Sequence, residues 1–275
     1  MIVKNSLQQK QLKRSSIMKS AYFITGVNNK KSIAYSVAKT LLLEKENCVF
    51  SVQNQEQYDF IKIQFPDSPV LKCNLAETSE IANWPLFLKD QKIKLKGLLH
   101  SVAFARLNPE WSFESTPWDA FQEALRISCF SLMELSHHLK PFFEENASVV
   151  TLSISNTRAT CYGYLGPIKA MLNSLIDYLA KSFSKDSRVR FNAVAAGPLK
   201  TSASAGIPGY VDNYLFSEQL TLRKNNLTTQ EVADTTLFLL SEKSSGLNGT
   251  TITVDAGMSV NYFDEEVVNS WVSRK

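Results

Sequence analysis

Short apolar runs of strand length recur along this chain, each separated from the next by a stretch with the polar and apolar spacing of a helix. The runs are Ala21–Thr25, Cys48–Val52, Val70–Leu71, Gly97–Val102, Ser148–Ser153, Val189–Val194 and Thr250–Asp255. Strands that alternate with helices build a parallel sheet, and strands covered on both faces read as short, continuously apolar segments. The pattern therefore predicts an α/β fold: one doubly wound domain over residues 18–262 around a seven-stranded parallel sheet. With 275 residues the chain is long enough for a single large core. No internal repeat, low-complexity tract or interdomain linker divides it, and no run of about eighteen apolar residues suggests a membrane span.

Charge excludes some function classes. Residues 1–17 carry Lys4, Lys10, Lys13 and Arg14 and no acid, which accounts for the formal net charge of +4. The rest of the chain is formally neutral and gives no argument for nucleic-acid binding. The basic segment lacks the apolar stretch of a secretion signal, and it is expected to be a disordered tail or to lie upstream of a working start at Met18. Residues 263–275 are expected to form a C-terminal tail. Cys48, Cys73, Cys129 and Cys161 show no C-x-x-C pairing, so reduced thiols in a cytoplasmic protein are expected, with no zinc site or disulfide framework.

The sequence places candidate chemistry at the ends of the expected strands. Gly26 follows the first run and opens a turn into a helix beginning near Ser32, whose first N–H groups can face a pyrophosphate. Only one glycine is present, so this is not G-x-G-x-x-G. The second run ends at Gln53, a neutral side chain suited to a ribose hydroxyl, with no arginine beside it for a 2′-phosphate. That favours NADH over NADPH, although Lys30 and Lys31 lie in the first loop. Tyr162 and Lys169 stand seven residues apart, which on a helix is close to two turns and sets both side chains on one face. A lysine ammonium near a phenol favours phenolate and makes a proton donor or oxyanion stabiliser for neutral pH. The stretch 201–226, with Gly206, Pro208 and Gly209, is expected to be a substrate lid.

Taken in order, Gly26-x5-Ser32-Ile33-Ala34, His100-Ser-Val-Ala-Phe-Ala105, Tyr162-x6-Lys169 and Ala196-Gly-Pro-Leu-Lys-Thr201 resemble the bacterial NADH-dependent enoyl-acyl carrier protein reductases. These are a branch of the short-chain dehydrogenase/reductase superfamily with a Rossmann-type fold, and the resemblance runs from about Ser20 to Val260. It implies that Gly26, Ser32 and Ile33 hold the pyrophosphate side of NAD and that Gln53 meets the adenosine ribose. Asn74 and Leu75 would flank adenine, and Val102 and Ala103 would lie beneath the cofactor. Lys169 would bond the nicotinamide ribose, Leu199 the carboxamide, and Thr201 the phosphate or carboxamide. Tyr162, Ala105, Ser202 and Ala203 would line the acyl site, with Tyr162 and Lys169 catalytic. The implied reaction is reduction of a trans-2-enoyl thioester by NADH in fatty acid synthesis, on acyl carrier protein or another thioester carrier, by a homotetramer. Met171, Leu172, Leu175, Ile176 and Leu179 would suit packing against a symmetry mate or burial within one subunit. Lys200, Arg223 and Lys224 border the lid and would attract an acidic carrier.

The match has departures. The family's second tyrosine is replaced by Leu152 or Ile154, depending on the alignment, which leaves Ser153 or Ser155 as substitute hydroxyls. Asn74 stands where the family carries aspartate. Tyr164 is expected to pack, because residues two apart face different sides of a helix. His100, His137 and His138 are expected to be structural or surface residues. Two other readings stay open: a short-chain reductase of another carbonyl or enoyl substrate, and a nucleotide-binding protein without turnover.

Overall fold

A computed structural model of the chain describes residues 18–155, 162–201 and 209–274. Its seven strands are β1 (Lys19–Thr25), β2 (Cys48–Val52), β3 (Val70–Lys72), β4 (Ile93–His100), β5 (Phe143–Ile154), β6 (Arg190–Ala196) and β7 (Thr250–Val254). They form one sheet in the order β3-β2-β1-β4-β5-β6-β7, and every neighbouring pair is parallel. All seven apolar runs are strands, as expected. The run extending to Val102 stops pairing at His100. Just beyond it, the Ser101 N–H turns to the Thr25 hydroxyl at 3.0 Å, while that hydroxyl donates to the Leu99 carbonyl at 3.1 Å.

Alternate residues of each strand face opposite layers, as a two-residue period requires. Phe23, Leu98, Val149 and Phe191 pack beneath α3 (Trp84–Asp90), α4 (Trp118–Leu125), α5 (Ser131–Leu139) and α6 (Leu165–Phe183). Ile24, Phe50, Leu99, Val150 and Val194 pack beneath α1 (Ile33–Leu43), α2 (Gln55–Gln64) and α8 (Thr229–Leu240). Each such side chain fully removed from water contributes roughly 1.5–3 kcal/mol before entropy is counted. Trp84 meets Phe23 edge-on with ring centroids 4.4 Å apart. The described part of the expected lid carries α7 (Tyr210–Leu220), and the expected C-terminal tail contains α9 (Glu265–Val272). The basic segment 1–17 lies outside the described residues.

Sequence order reverses between β1 and β4, and ligands bind such sheets outside the strand carboxyl ends at this switch point. Gly26 leaves β1 there with φ +79°. A Cβ at this position would lie 1.7 Å from the Ser101 carbonyl oxygen, so only glycine lets the two loops meet. The opposite end of the sheet is held differently. Arg190, buried at the start of β6, donates to the carbonyls of Ser241, Ser244 and Leu247 and to the Ser244 hydroxyl.

Gly26→Ala combines a left-handed backbone with a clash against main chain. It is expected to cost at least about 2 kcal/mol in urea unfolding.

Candidate active site

Two adjoining cavities open at the switch point, and Gly26, Asn28, Ser101, Val102 and Ala103 border both. Ser32, Ile33, Tyr162, Lys169, Leu199 and Thr201 border the first cavity. Gln53, Asn74 and Leu75 border the second. The structure thus gathers residues expected at the two ends of a dinucleotide into one continuous groove. Ala105 borders neither cavity and packs against the core instead. Ser202, Ala203 and Cys161 lie outside the described residues.

The turn after Gly26 folds locally. The Ser32 hydroxyl donates to the Asn29 carbonyl at 2.8 Å and accepts from the Tyr35 N–H, which caps α1. Among the described residues the Ile33 and Ala34 N–H groups have no acceptor within the chain. They are the unsatisfied donors that a helix start offers to an anion.

Lys169 is the buried cation of the site, 4% exposed on α6. Its Nζ donates to the Val102 carbonyl at 3.0 Å and the Leu152 carbonyl at 2.9 Å. An ammonium has three donors, so one N–H remains for a ligand in the bordering cavity. Desolvation lowers its pKa to about 8, which keeps it mostly protonated at pH 7. His100 is fully buried, bonded to Thr151 through Nδ1 and to Ser131 through Nε2, each at 2.9 Å. Burial, then the Lys169 charge, lowers its pKa to about 3, so it is a neutral structural clasp.

Tyr162 and Lys169 meet on one cavity by a route other than a shared helix. α6 begins at Leu165, so Tyr162 precedes it, and Gly163 between them has φ +54°. Left-handed backbone at Gly163 breaks the helical spacing, and Pro167 lies in the first turn of α6, where its missing N–H is tolerated. Tyr164 is buried and donates to the Arg106 carbonyl at 2.7 Å, in keeping with a packing role.

Leu152, Ser153 and Ile154 all border the first cavity. The Ser153 hydroxyl donates to the Lys169 carbonyl at 3.3 Å, and Ser155 is buried and borders neither cavity. Ser153 therefore has its proton committed to α6. Asn74, expected beside adenine, accepts the Ala76 N–H through Oδ1 at 3.1 Å, a bond that does not use its amide donors.

Sequence reasoning missed Tyr210, Asn28 and Gln57. Tyr210, at the start of α7, borders the first cavity, accepts the Leu199 N–H at 2.9 Å and donates to the Leu199 carbonyl at 2.8 Å. No local pattern marked it within the expected lid. Asn28 lies two residues past the glycine, inside a loop whose importance was legible. The Gln57 amide reaches Asn28, a contact between loops that only the folded chain makes. Cys48, Cys73 and Cys129 are buried free thiols, and desolvation pushes Cys48 up to about 12.

Lys169 has a pH signature. Its folded pKa near 8 lies below the ordinary lysine value of 10.5, so the unfolded chain binds more protons between those values. The destabilisation from its buried charge is full below pH 8 and is relieved as pH rises from 8 to 10.5. Urea titrations across that window are expected to show this rise in wild type and its loss in Lys169→Met.

A family model described as enoyl-(acyl carrier protein) reductase matches residues 26–259. The chain is 33% identical over 246 residues to an NADH-dependent enoyl-[acyl-carrier-protein] reductase of Nostoc sp., covering 86% of this chain and 95% of the relative. It is 31% identical over 239 residues to that of Enterococcus faecalis, with the same coverage. The solved enoyl-[acyl-carrier-protein] reductase (NADH) of Aquifex aeolicus superposes with a TM-score of 0.80 at 30% identity, covering 88% of this chain and 96% of that one. The chain belongs to the enoyl-(acyl carrier protein) reductase family.

Proposed function

We propose that this chain reduces the carbon–carbon double bond of a trans-2-enoyl thioester carried on acyl carrier protein, with NADH as reductant, in fatty acid synthesis. The observation that carries the reading is the placement of Tyr162 and Lys169 on a cavity that continues, past Gly26 and Asn28, into a second one bordered by Gln53, Asn74 and Leu75. The donors fit a dinucleotide: the unbonded Ile33 and Ala34 N–H groups for the pyrophosphate, Gln53 for a ribose and Asn74 for adenine.

Bound dihydronicotinamide would supply a hydride to the β carbon of the enoyl group, and a proton drawn from water would complete the reduction at the α carbon. Negative charge then develops on the thioester oxygen, and Tyr162 donates a hydrogen bond there. A donor already in place acts most strongly where charge grows. Lys169 holds the nicotinamide ribose through its remaining N–H and lends positive potential to the same oxygen. Its two carbonyl partners fix the ammonium, so little reorganisation accompanies the reaction. Leu199 and Thr201, which border the first cavity, would bound the carboxamide side.

The carrier is acidic in this reading. Arg223 is already paired with Glu231, and Lys224 with Asp264 and Glu266, so these two offer less charge than the sequence suggested. Lys200 is exposed beside the first cavity. We place the enzyme in the cytoplasm, and among the described residues no helix is long and apolar enough to cross a membrane.

A homotetramer is part of the proposal. Leu172, Ile176 and Leu179 are buried within the subunit, while Met171 and Tyr178 are exposed on α6. Those two, not the buried stripe, are available to a symmetry mate, and light scattering is expected to give four times the subunit mass. A monomer would remove the assembly.

Tyr162→Phe is expected to lower turnover of a trans-2-enoyl thioester by about 10²–10³ and leave the NADH dissociation constant nearly unchanged. NADH absorbance and a binding titration read the two quantities. Unchanged turnover would take Tyr162 out of the mechanism, and NADH binding without oxidation would favour the binding-only reading.

A further inference from the structure

Gln57, in the first turn of α2, makes two side-chain bonds with different consequences. Its Oε1 accepts the backbone N–H of Gln53 at 2.8 Å. Its Nε2 donates to Asn28 Oδ1 at 2.8 Å, joining the loop after β1 to the loop after β2. Helix capping explains the first bond but not the second. The Asn54 side chain already caps α2 by accepting the Gln57 N–H at 3.0 Å, and Asn28 lies 29 residues away in sequence.

We propose that the Gln57–Asn28 bridge makes the adenosine end of this groove select a 2′-hydroxyl over a 2′-phosphate. The inference rests on reading the groove as the dinucleotide site and concerns side chains beyond Gln53. Asn28, Gln53 and Gln57 all border the second cavity, and among the described residues no lysine, arginine, histidine or carboxylate borders it. The Gln53 N–H, a main-chain donor at the tip of β2, is taken by a neutral acceptor. The Gln57 amide, which freed could turn toward an anion, is held by Asn28. Of the cations nearby, Lys72 donates to Gln55 Oε1 at 3.0 Å, while Lys30 and Lys31 are exposed on the first loop and do not border the cavity.

A ribose hydroxyl both donates and accepts, so a neutral amide satisfies it. A phosphate monoester carries about −1.5 to −2 charge at pH 7 and needs cations or several N–H donors to replace its water. A surface bordered by no cation, with the Gln53 N–H and the Gln57 amide already bonded, offers no cation and fewer donors.

Calorimetric titration of the purified full-length protein with NADH and with NADPH tests this, with thermal melts confirming that each variant is folded. Wild type is expected to bind NADH more tightly. Asn28→Ala leaves the cap and the charge of α2 intact, frees the Gln57 amide, and is expected to narrow the NADPH-to-NADH ratio of dissociation constants about threefold. Gln57→Lys adds one cation and is expected to narrow it about tenfold, the size of one exposed charge-assisted contact. Both changes should come from tighter NADPH binding. A ratio that Asn28→Ala leaves unmoved, with NADH still bound, overturns the bridge as determinant. Failure of wild type to bind either nucleotide overturns the dinucleotide reading and the bridge with it.

Discussion

The Lys169 ammonium, bonded to two main-chain carbonyls, is the interaction on which the site depends. One carbonyl belongs to Val102, just past β4, and the other to Leu152, near the end of β5. The same residue returns a bond through its own carbonyl, which accepts from Ser153. Helix α6 is thereby fastened to two strand ends at the edge of the groove. A cation this buried survives because two of its three donors are satisfied by carbonyls, yet its lowered pKa records the residual penalty of leaving water. The neutral state of His100 follows from burial first and then from the same charge, which would repel a second cation nearby.

Most of the architecture was legible in the sequence because burial on both faces removes polar residues from strands. β2 and β6 are buried at every position; β2 reads as an apolar run broken only by Ser51, while β6 carries Arg190 and Asn192 among its apolar residues. Gly26 was legible because a strand end followed by a helix leaves few residues that can turn there. Chain order, too, carried over: motifs spread from Gly26 to Thr201 converge because parallel strands bring all their carboxyl ends to one side.

What remained illegible depends on contacts between separate loops or on a single backbone angle. The spacing of Tyr162 and Lys169 suggested one helix, but Gly163 takes a left-handed conformation and α6 starts two residues later. The two side chains reach one cavity through tertiary placement. Tyr210 carried no periodic signal, and its bonds to both polar groups of Leu199 exist only once α7 lies over the loop after β6. Arg223 and Lys224 looked like free positive charge. Their partners, Glu231, Asp264 and Glu266, lie 8 to 42 positions further along the chain, beyond what local charge counting weighs.

The fastening of Arg190 at the far end of the sheet bears on how such a chain can change over time. Its guanidinium gathers the loop before β7 onto β6 with bonds that touch neither cavity. The anchoring at that end is independent of whichever side chains occupy the groove. Residues bordering the groove, Leu152 and Ile154 among them, can therefore change without disturbing that frame. In this chain the frame and the chemistry it carries are open to separate change.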